Sequence, residues 1–112
     1  MKTDVVVIGG GAIGAAVAYF LKQIEASTAV IVVERDPTFR QASTPRVSGG
    51  IRRLFSLTEN IELSNFSIPF FDRFADTMAV DGVRAEIGLK KNGYLFIGPP
   101  SARDVFKRNF DL

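Results

Sequence analysis

The segment Val5 to Gly14, VVVIGGGAIG, constrains the fold more than any other part of the chain. A run of β-branched residues halts at Gly9-Gly10-Gly11 and resumes as an alanine-rich stretch, the pattern of a strand, a tight turn and a helix. In Gly9-x-Gly11-x-x-Gly14 each glycine has its own task. Gly9 permits the turn, Gly11 lets the backbone approach a pyrophosphate, and Gly14 lets the helix lie close to the sheet. The N–H groups of Gly11, Ala12, Ile13 and Gly14 stand at the positive end of the helix dipole, where a diphosphate is the natural ligand.

The flanking sequence meets the requirements of that fingerprint. Val5, Val6, Val7 and Ile8 form the unbroken apolar run of a parallel strand buried on both faces. Ile13, Val17, Leu21 and Ile24 recur at helical spacing, with Lys22, Gln23 and Glu25 on the wet side. A second strand follows at 29–33, and Glu34 ends it at about the 20-residue distance the fingerprint asks for. A carboxylate there accepts the hydroxyls of an adenosine ribose and repels a 2′-phosphate, which argues against NADP. A membrane anchor is the competing reading, since the stretch from Val5 to Leu21 is apolar and holds Gly10-x-x-x-Gly14. It falls short of the roughly 20 residues of a spanning helix, its first half is β-branched, and it gives no reason for Glu34 to end a second strand.

With 112 residues, 46% of them hydrophobic, the chain resembles a soluble globular protein in composition. A complete doubly wound domain needs further strands, and no third βα crossover follows the second strand. Ser101 and Asp104 form an S-x-x-D box ahead of Val105 and Phe106, so a helix is expected to begin at Ser101. The sequence then ends, and reads as a truncated or split gene product that calls for a partner chain to supply the missing domain. Net charge is +2 with lysines and arginines scattered among acidic residues, which gives no nucleic-acid footprint. With no Cys and no His there is no disulfide, thiolate nucleophile, imidazole base or usual zinc site. A cytoplasmic location is the default.

The segment from Arg35 to Arg53 is long for a βα loop, and such loops tend to be functional. Ser43 and Thr44 bring hydroxyls, Gly49 and Gly50 bring backbone with no side chain in the way, and Arg46, Arg52 and Arg53 bring fixed positive charge. The plainer reading of Ser43 and Thr44 is a turn before Pro45. For Arg53 it is a surface ion pair.

Taken together, VVVIGGGAIG, VVERD, AST-x-R-x-SGGIRR and a helix opening with SLTENIELS resemble the FAD-dependent oxidoreductases of the D-amino acid oxidase superfamily, which includes sarcosine and glycine oxidases and D-amino acid dehydrogenases. The resemblance runs from residue 2 to about residue 98 and corresponds to roughly the first third of such a protein. It implies an α/β fold: a partial Rossmann-like FAD-binding βαβ unit over residues 1–80, followed by the start of a substrate-binding domain over residues 81–112. It implies that Gly9, Gly11, Ala12, Ile13 and Gly14 hold the FAD diphosphate, that Glu34 holds the adenosine ribose, and that Arg35 lies near the adenine. Ser43, Thr44, Gly49 and Gly50 would line the flavin half, with Arg52 close to the isoalloxazine ring, where a positive charge stabilises the reduced flavin. The activity implied is oxidation of an amine or amino-acid carbon–nitrogen bond by hydride transfer to the flavin, followed by hydrolysis of the imine. No catalytic acid or base can be named from these residues. A non-catalytic split subunit and a fragment of an NAD-dependent dehydrogenase are the alternatives. The second shares the glycine fingerprint but does not call for the loop from Ser43 to Arg52.

Beyond the loop, Ser56-x-x-Glu59 has the form of a capping box, and Leu63, Phe66, Phe70, Phe74 and Met78 follow at helical spacing as core residues. Pro69 should kink this helix near Asn65 to Ser67. Residues 83–89 and 94–97, joined through Asn92-Gly93, read as a β-hairpin that opens the substrate domain.

Overall fold

A computed structural model describes residues 2–112. They divide into two compact units, one ending at Gly50 and the other running Ile51–Leu112.

The first unit is a βαβ crossover: strand β1 (Val5–Ile8), helix α1 (Ala12–Ile24) and strand β2 (Val30–Val33). The strands pair in parallel, with Val5 opposite Val30 and Ile8 opposite Val33. At the entry edge Asp4 and Val5 N–H both donate to Ala29 O, at 3.0 and 3.1 Å, and the Asp4 carboxylate accepts from Ala29 N–H at 2.9 Å. Asp4, which sits at the mouth of the apolar run, thus fixes the register. Helix α1 closes with Lys22 donating to the carbonyls of Ala26 and Thr28 beyond its C-terminus.

Two expectations about this unit change. Strand β1 is not buried on both faces: Val5 and Val7 are half-buried while Val6 and Ile8 are exposed, because within this unit only α1 covers the sheet. The face of α1 that turns inward is also different. Gly14, Ala18 and Leu21 are half-buried, whereas Ile13 is 84% exposed and Ile24 83%. Of the expected stripe Leu21 is on the covered side, with Gly14 and Ala18 allowing close approach, while Ile13, Val17 and Ile24 are exposed.

The second unit begins with helix α2 (Thr58–Asp72), which Arg73 separates from the single turn α3 (Phe74–Thr77). The capping box is not made: Leu57 stands at the N-cap, its carbonyl accepts from Asn60 and Ile61 N–H at 3.2 Å each, and no side chain caps the start. Ile61, Ser64, Ile68 and Phe71 form the half-buried stripe of α2, while Leu63 and Phe66 are exposed. The helix is apolar on two sides, so its spacing alone does not select between the stripes. Pro69 lies inside α2 without ending it. Ser64 Oγ donates to Asn60 O and Ser67 Oγ to Leu63 O, each at 2.7 Å, a pattern that bends helices on the turn before the proline. Phe70 and Phe74 then meet edge to face, 5.6 Å between centroids.

The hairpin expected over residues 83–97 is absent. Residues 84–99 carry no strand pairing, although the Tyr94 and Phe96 rings stack at 6.3 Å as alternate residues of an extended segment. The turn that does close lies earlier. Val80 and Val83 exchange both backbone bonds, at 3.0 and 2.9 Å, around Asp81 (φ +50°) and Gly82 (φ +79°). Two left-handed central residues are the requirement of the tightest hairpin turn. At 92–93 only Gly93 meets it, and a lone two-stranded hairpin has little to hold it together in water. The final helix, α4 (Arg103–Phe110), follows a 3-10 turn at Pro100–Ala102, so Ala102 rather than Ser101 occupies the N-cap. Phe106 packs against Gly98, where a Cβ would come within 2.8 Å of its ring.

Among the described residues no side chain is fully buried in either unit. No helix among the described residues is long and apolar enough to cross a membrane.

Candidate functional site

The carboxyl ends of β1 and β2 carry the groups that the glycine pattern singles out. Gly9 turns the chain at φ +98°, an angle that favours a residue without Cβ, and its N–H donates to Val33 O at 2.8 Å. The last rung of the sheet therefore runs directly into the turn. Gly11 stands at the N-cap of α1 in extended conformation, and no side chain caps the helix start. The first intrahelical bond is Ala15 N–H to Gly11 O, 2.9 Å. The N–H groups before it, including those of Ala12, Ile13 and Gly14, belong to the part of a helix that lacks carbonyl partners.

The glycines also divide sterically. A Cβ on Gly11 would meet nothing within 4 Å, so the backbone there opens to free space. A Cβ on Gly14 would stand 1.9 Å from Gly9 O and 3.2 Å from Val7 Cγ1. Gly14 is thus a packing residue and Gly11 an approach residue, and this cradle fits a diphosphate set against a helix start.

Glu34 leaves the end of β2 and is held from both sides. Gly10 N–H donates to Oε2 at 2.7 Å and Asp36 N–H to Oε1 at 2.9 Å. These two donors, the Asp36 N–H foremost, hold the carboxyl below its ordinary range. Each oxygen retains a further lone pair for a ligand hydroxyl. Sequence reasoning missed both donors; the middle glycine of a GGG triplet is the only signal that could have pointed to the first.

Glu34 faces a cleft of about 380 Å³. Ile8, Val33 and Phe39 give it apolar walls, and Glu34, Arg35 and Gln41 its polar ones. Beneath Phe39 the chain makes a tight turn in which the Asp36 carboxylate accepts from Thr38 N–H at 3.0 Å and Thr38 Oγ1 at 2.6 Å. The Thr38 hydroxyl is the main reason the Asp36 carboxyl is held low.

The other expected residues lie further along. Ser43 precedes a 3-10 turn, Thr44–Arg46, its carbonyl accepting from Arg46 N–H at 3.0 Å, and no side chain caps that turn. Ser43, Thr44, Gly49 and Gly50 are all exposed, and Gly49 adopts φ +76° with open space around it. Arg52 lies in the second unit: Nε donates to Leu54 O at 2.6 Å, and the guanidinium sits 4.9 Å from the centre of the Phe55 ring. Among the described residues Arg53 makes no ion pair but donates twice to Asn65 Oδ1, from Nη2 at 2.6 Å and Nε at 3.2 Å. Gly9, Glu34 and Arg35 are therefore brought to one cleft, while the residues from Ser43 to Gly50 do not line it. No group of acidic residues among those described could hold a metal ion.

Comparison with known proteins identifies the family. The DAO family model, described as FAD dependent oxidoreductase, matches residues 4–112. FAD-dependent oxidoreductase domain-containing protein 1 of Xenopus laevis is 39% identical over 99% of this chain and 23% of its own length. The protein of the same name from Bos taurus is 39% identical over 99% of the chain and 24% of its own length. The Drosophila melanogaster homologue is 44% identical over 97% of the chain and 21% of its own. The chain thus spans less than a quarter of the length of these curated relatives. No solved structure matches it significantly. The glycine turn, the carboxylate that ends β2 and a family match over nearly every residue lead to one assignment: this chain belongs to the DAO family of FAD-dependent oxidoreductases, whose cofactor is FAD.

Proposed function

We propose that this chain forms the adenosine-diphosphate half of the FAD site in an enzyme that oxidises an amine or amino-acid carbon–nitrogen bond. The observation that carries the reading is the joining of the glycine turn to the ribose acceptor: Gly10 N–H bonds to Glu34 Oε2, so both ends of the expected ADP site belong to one small unit. In this reading the backbone of Gly9, Gly11, Ala12, Ile13 and Gly14 holds the diphosphate. Glu34 accepts the ribose hydroxyls, and Arg35 lies on the adenine side.

Ser43, Thr44, Gly49 and Gly50 address the flavin half, and their exposure leaves them open to do so. Arg52 enters this reading as the source of positive charge near the isoalloxazine, a role that rests on the family resemblance. Bound FAD would supply the hydride-accepting chemistry for oxidation of the carbon–nitrogen bond. The residues of this chain then bind, orient and balance charge. Residues 81–112 begin the substrate-binding domain, and the groups that recognise substrate belong to sequence outside this chain, on the same polypeptide or on a partner.

The full chain should purify yellow, with FAD released on denaturation and no affinity for NADP. Absence of flavin at saturating FAD, or undiminished FAD affinity in Glu34→Gln, would count against the assignment of these residues. The reaction class is tested on the assembly that includes the substrate-recognising sequence, by turnover of a panel of secondary amines and D-amino acids with a dye acceptor.

A further inference from the structure

We propose that Phe39 is the adenine-facing wall of the nucleotide cleft, binding the base by stacking. This rests on the cofactor reading above and deepens it, since no role for Phe39 follows from the glycine fingerprint or from the ribose carboxylate.

Phe39 contributes the only aromatic ring among the residues that line the cleft. Its backbone lies in the left-handed region, φ +54°, which a side chain with a Cβ occupies only when its surroundings impose it. They do so here. Pro37 fixes the preceding turn, Phe39 N–H donates to Asp36 O at 3.0 Å, and Ala42 N–H donates to Phe39 O at 3.0 Å. Glycine would take this angle without strain, so the turn itself gives no reason for a large side chain. What the strained turn delivers is a ring aimed into the cleft, and unusual backbone of this kind gathers at ligand sites.

Position narrows the role to the base. A Cβ built on Gly10 would lie 3.6 Å from Phe39 Cε1, 3.6 Å from Glu34 Oε2 and 3.3 Å from Glu34 Cβ. The ring edge and the ribose-accepting oxygen are therefore neighbours of the same point on the glycine turn. A ribose held by Glu34 carries its base on the adjacent carbon and has to place it beside this ring. Phe39 lines the cleft and the residue is 37% exposed, so it is accessible to a base. Aromatic faces bind bases by stacking, which is tolerant of base identity but needs a ring.

The test uses nucleotide-free full chain, titrated calorimetrically with ADP and, separately, with inorganic pyrophosphate. Phe39→Ala should weaken ADP by about tenfold or more while leaving pyrophosphate within about twofold. Phe39→Tyr, which keeps the ring, should restore ADP binding. Unchanged ADP affinity in Phe39→Ala would overturn the proposal, as would parallel loss of ADP and pyrophosphate, which would mark the ring as structural. Failure of the wild-type chain to bind either probe would instead remove the cofactor reading on which the inference stands.

Discussion

Gly14→Ala should unfold the turn that Gly11→Ala leaves standing, although both add one methyl to the same glycine motif. At position 14 the new Cβ would fall 1.9 Å from Gly9 O, about 1.5 Å short of the 3.4 Å at which ordinary contact begins, with Gly9 C at 3.0 Å and Val7 Cγ1 at 3.2 Å. The nearest obstacle is backbone, so no side chain can swing aside. Either α1 lifts from β1 or the Gly9 turn moves, and overpacking of this kind costs about 1–3 kcal/mol. In an unobstructed helix the same change would gain about 1 kcal/mol. The sign of the effect therefore separates steric packing from helix propensity. At position 11 the methyl meets nothing within 4 Å, and the backbone there, φ −64° and ψ −177°, suits alanine. Thermal unfolding of the full chain should show Gly14→Ala lowered by roughly 4 °C per kcal/mol lost, with Gly11→Ala near wild type but weaker in FAD binding by calorimetry. Equal midpoints for Gly14→Ala and wild type would refute the argument. So would a Gly11→Ala variant that loses stability as Gly14→Ala does.

Two further outcomes follow from local geometry. Because N–H donors from Asp36 and Gly10 hold the Glu34 carboxyl below its ordinary value of 4.5, its stabilising effect is present above that value and is lost as pH falls through the lowered one. Urea unfolding from acid to neutral pH should show Glu34→Gln less stable than wild type near neutrality and converging with it in acid; parallel curves would contradict this. Pro69→Ala returns an N–H facing the carbonyl of Asn65 and removes the ring from the helix interior. Proline costs about 3 kcal/mol relative to alanine there, so the variant should gain roughly 1–3 kcal/mol and some far-ultraviolet helical signal, and a less stable variant would show that the interruption is required by packing.

The βαβ crossover was legible because it rests on backbone rules: β-branched runs, a glycine where φ must be positive, and a carboxylate one crossover later. Which side of α1 faces the sheet was not, because hydrophobic spacing favours the larger Ile13, Val17 and Ile24 stripe, whereas close approach favours Gly14 and Ala18. In α2 a similar ambiguity between two apolar stripes misplaced Leu63 and Phe66. Asn92-Gly93 drew attention from Asp81-Gly82, although both are dipeptides of the same turn class; only the second has both residues at positive φ. Glu34 stands at the end of β2, as its distance along the chain suggested. The N–H groups that bond to it and the position of Phe39 were not legible, since they depend on how the Asp36 turn folds.

The hydrogen bond from Gly10 to Glu34 also bears on how this unit tolerates substitution. The carboxylate at the end of β2 is the acceptor that ties the glycine turn to the neighbouring strand. A neutral amide keeps an oxygen for the Gly10 N–H, whereas a basic side chain would face that N–H with another donor. The turn and the residue at position 34 are thus inherited together, and a basic replacement there needs a second substitution that gives Gly10 a new acceptor.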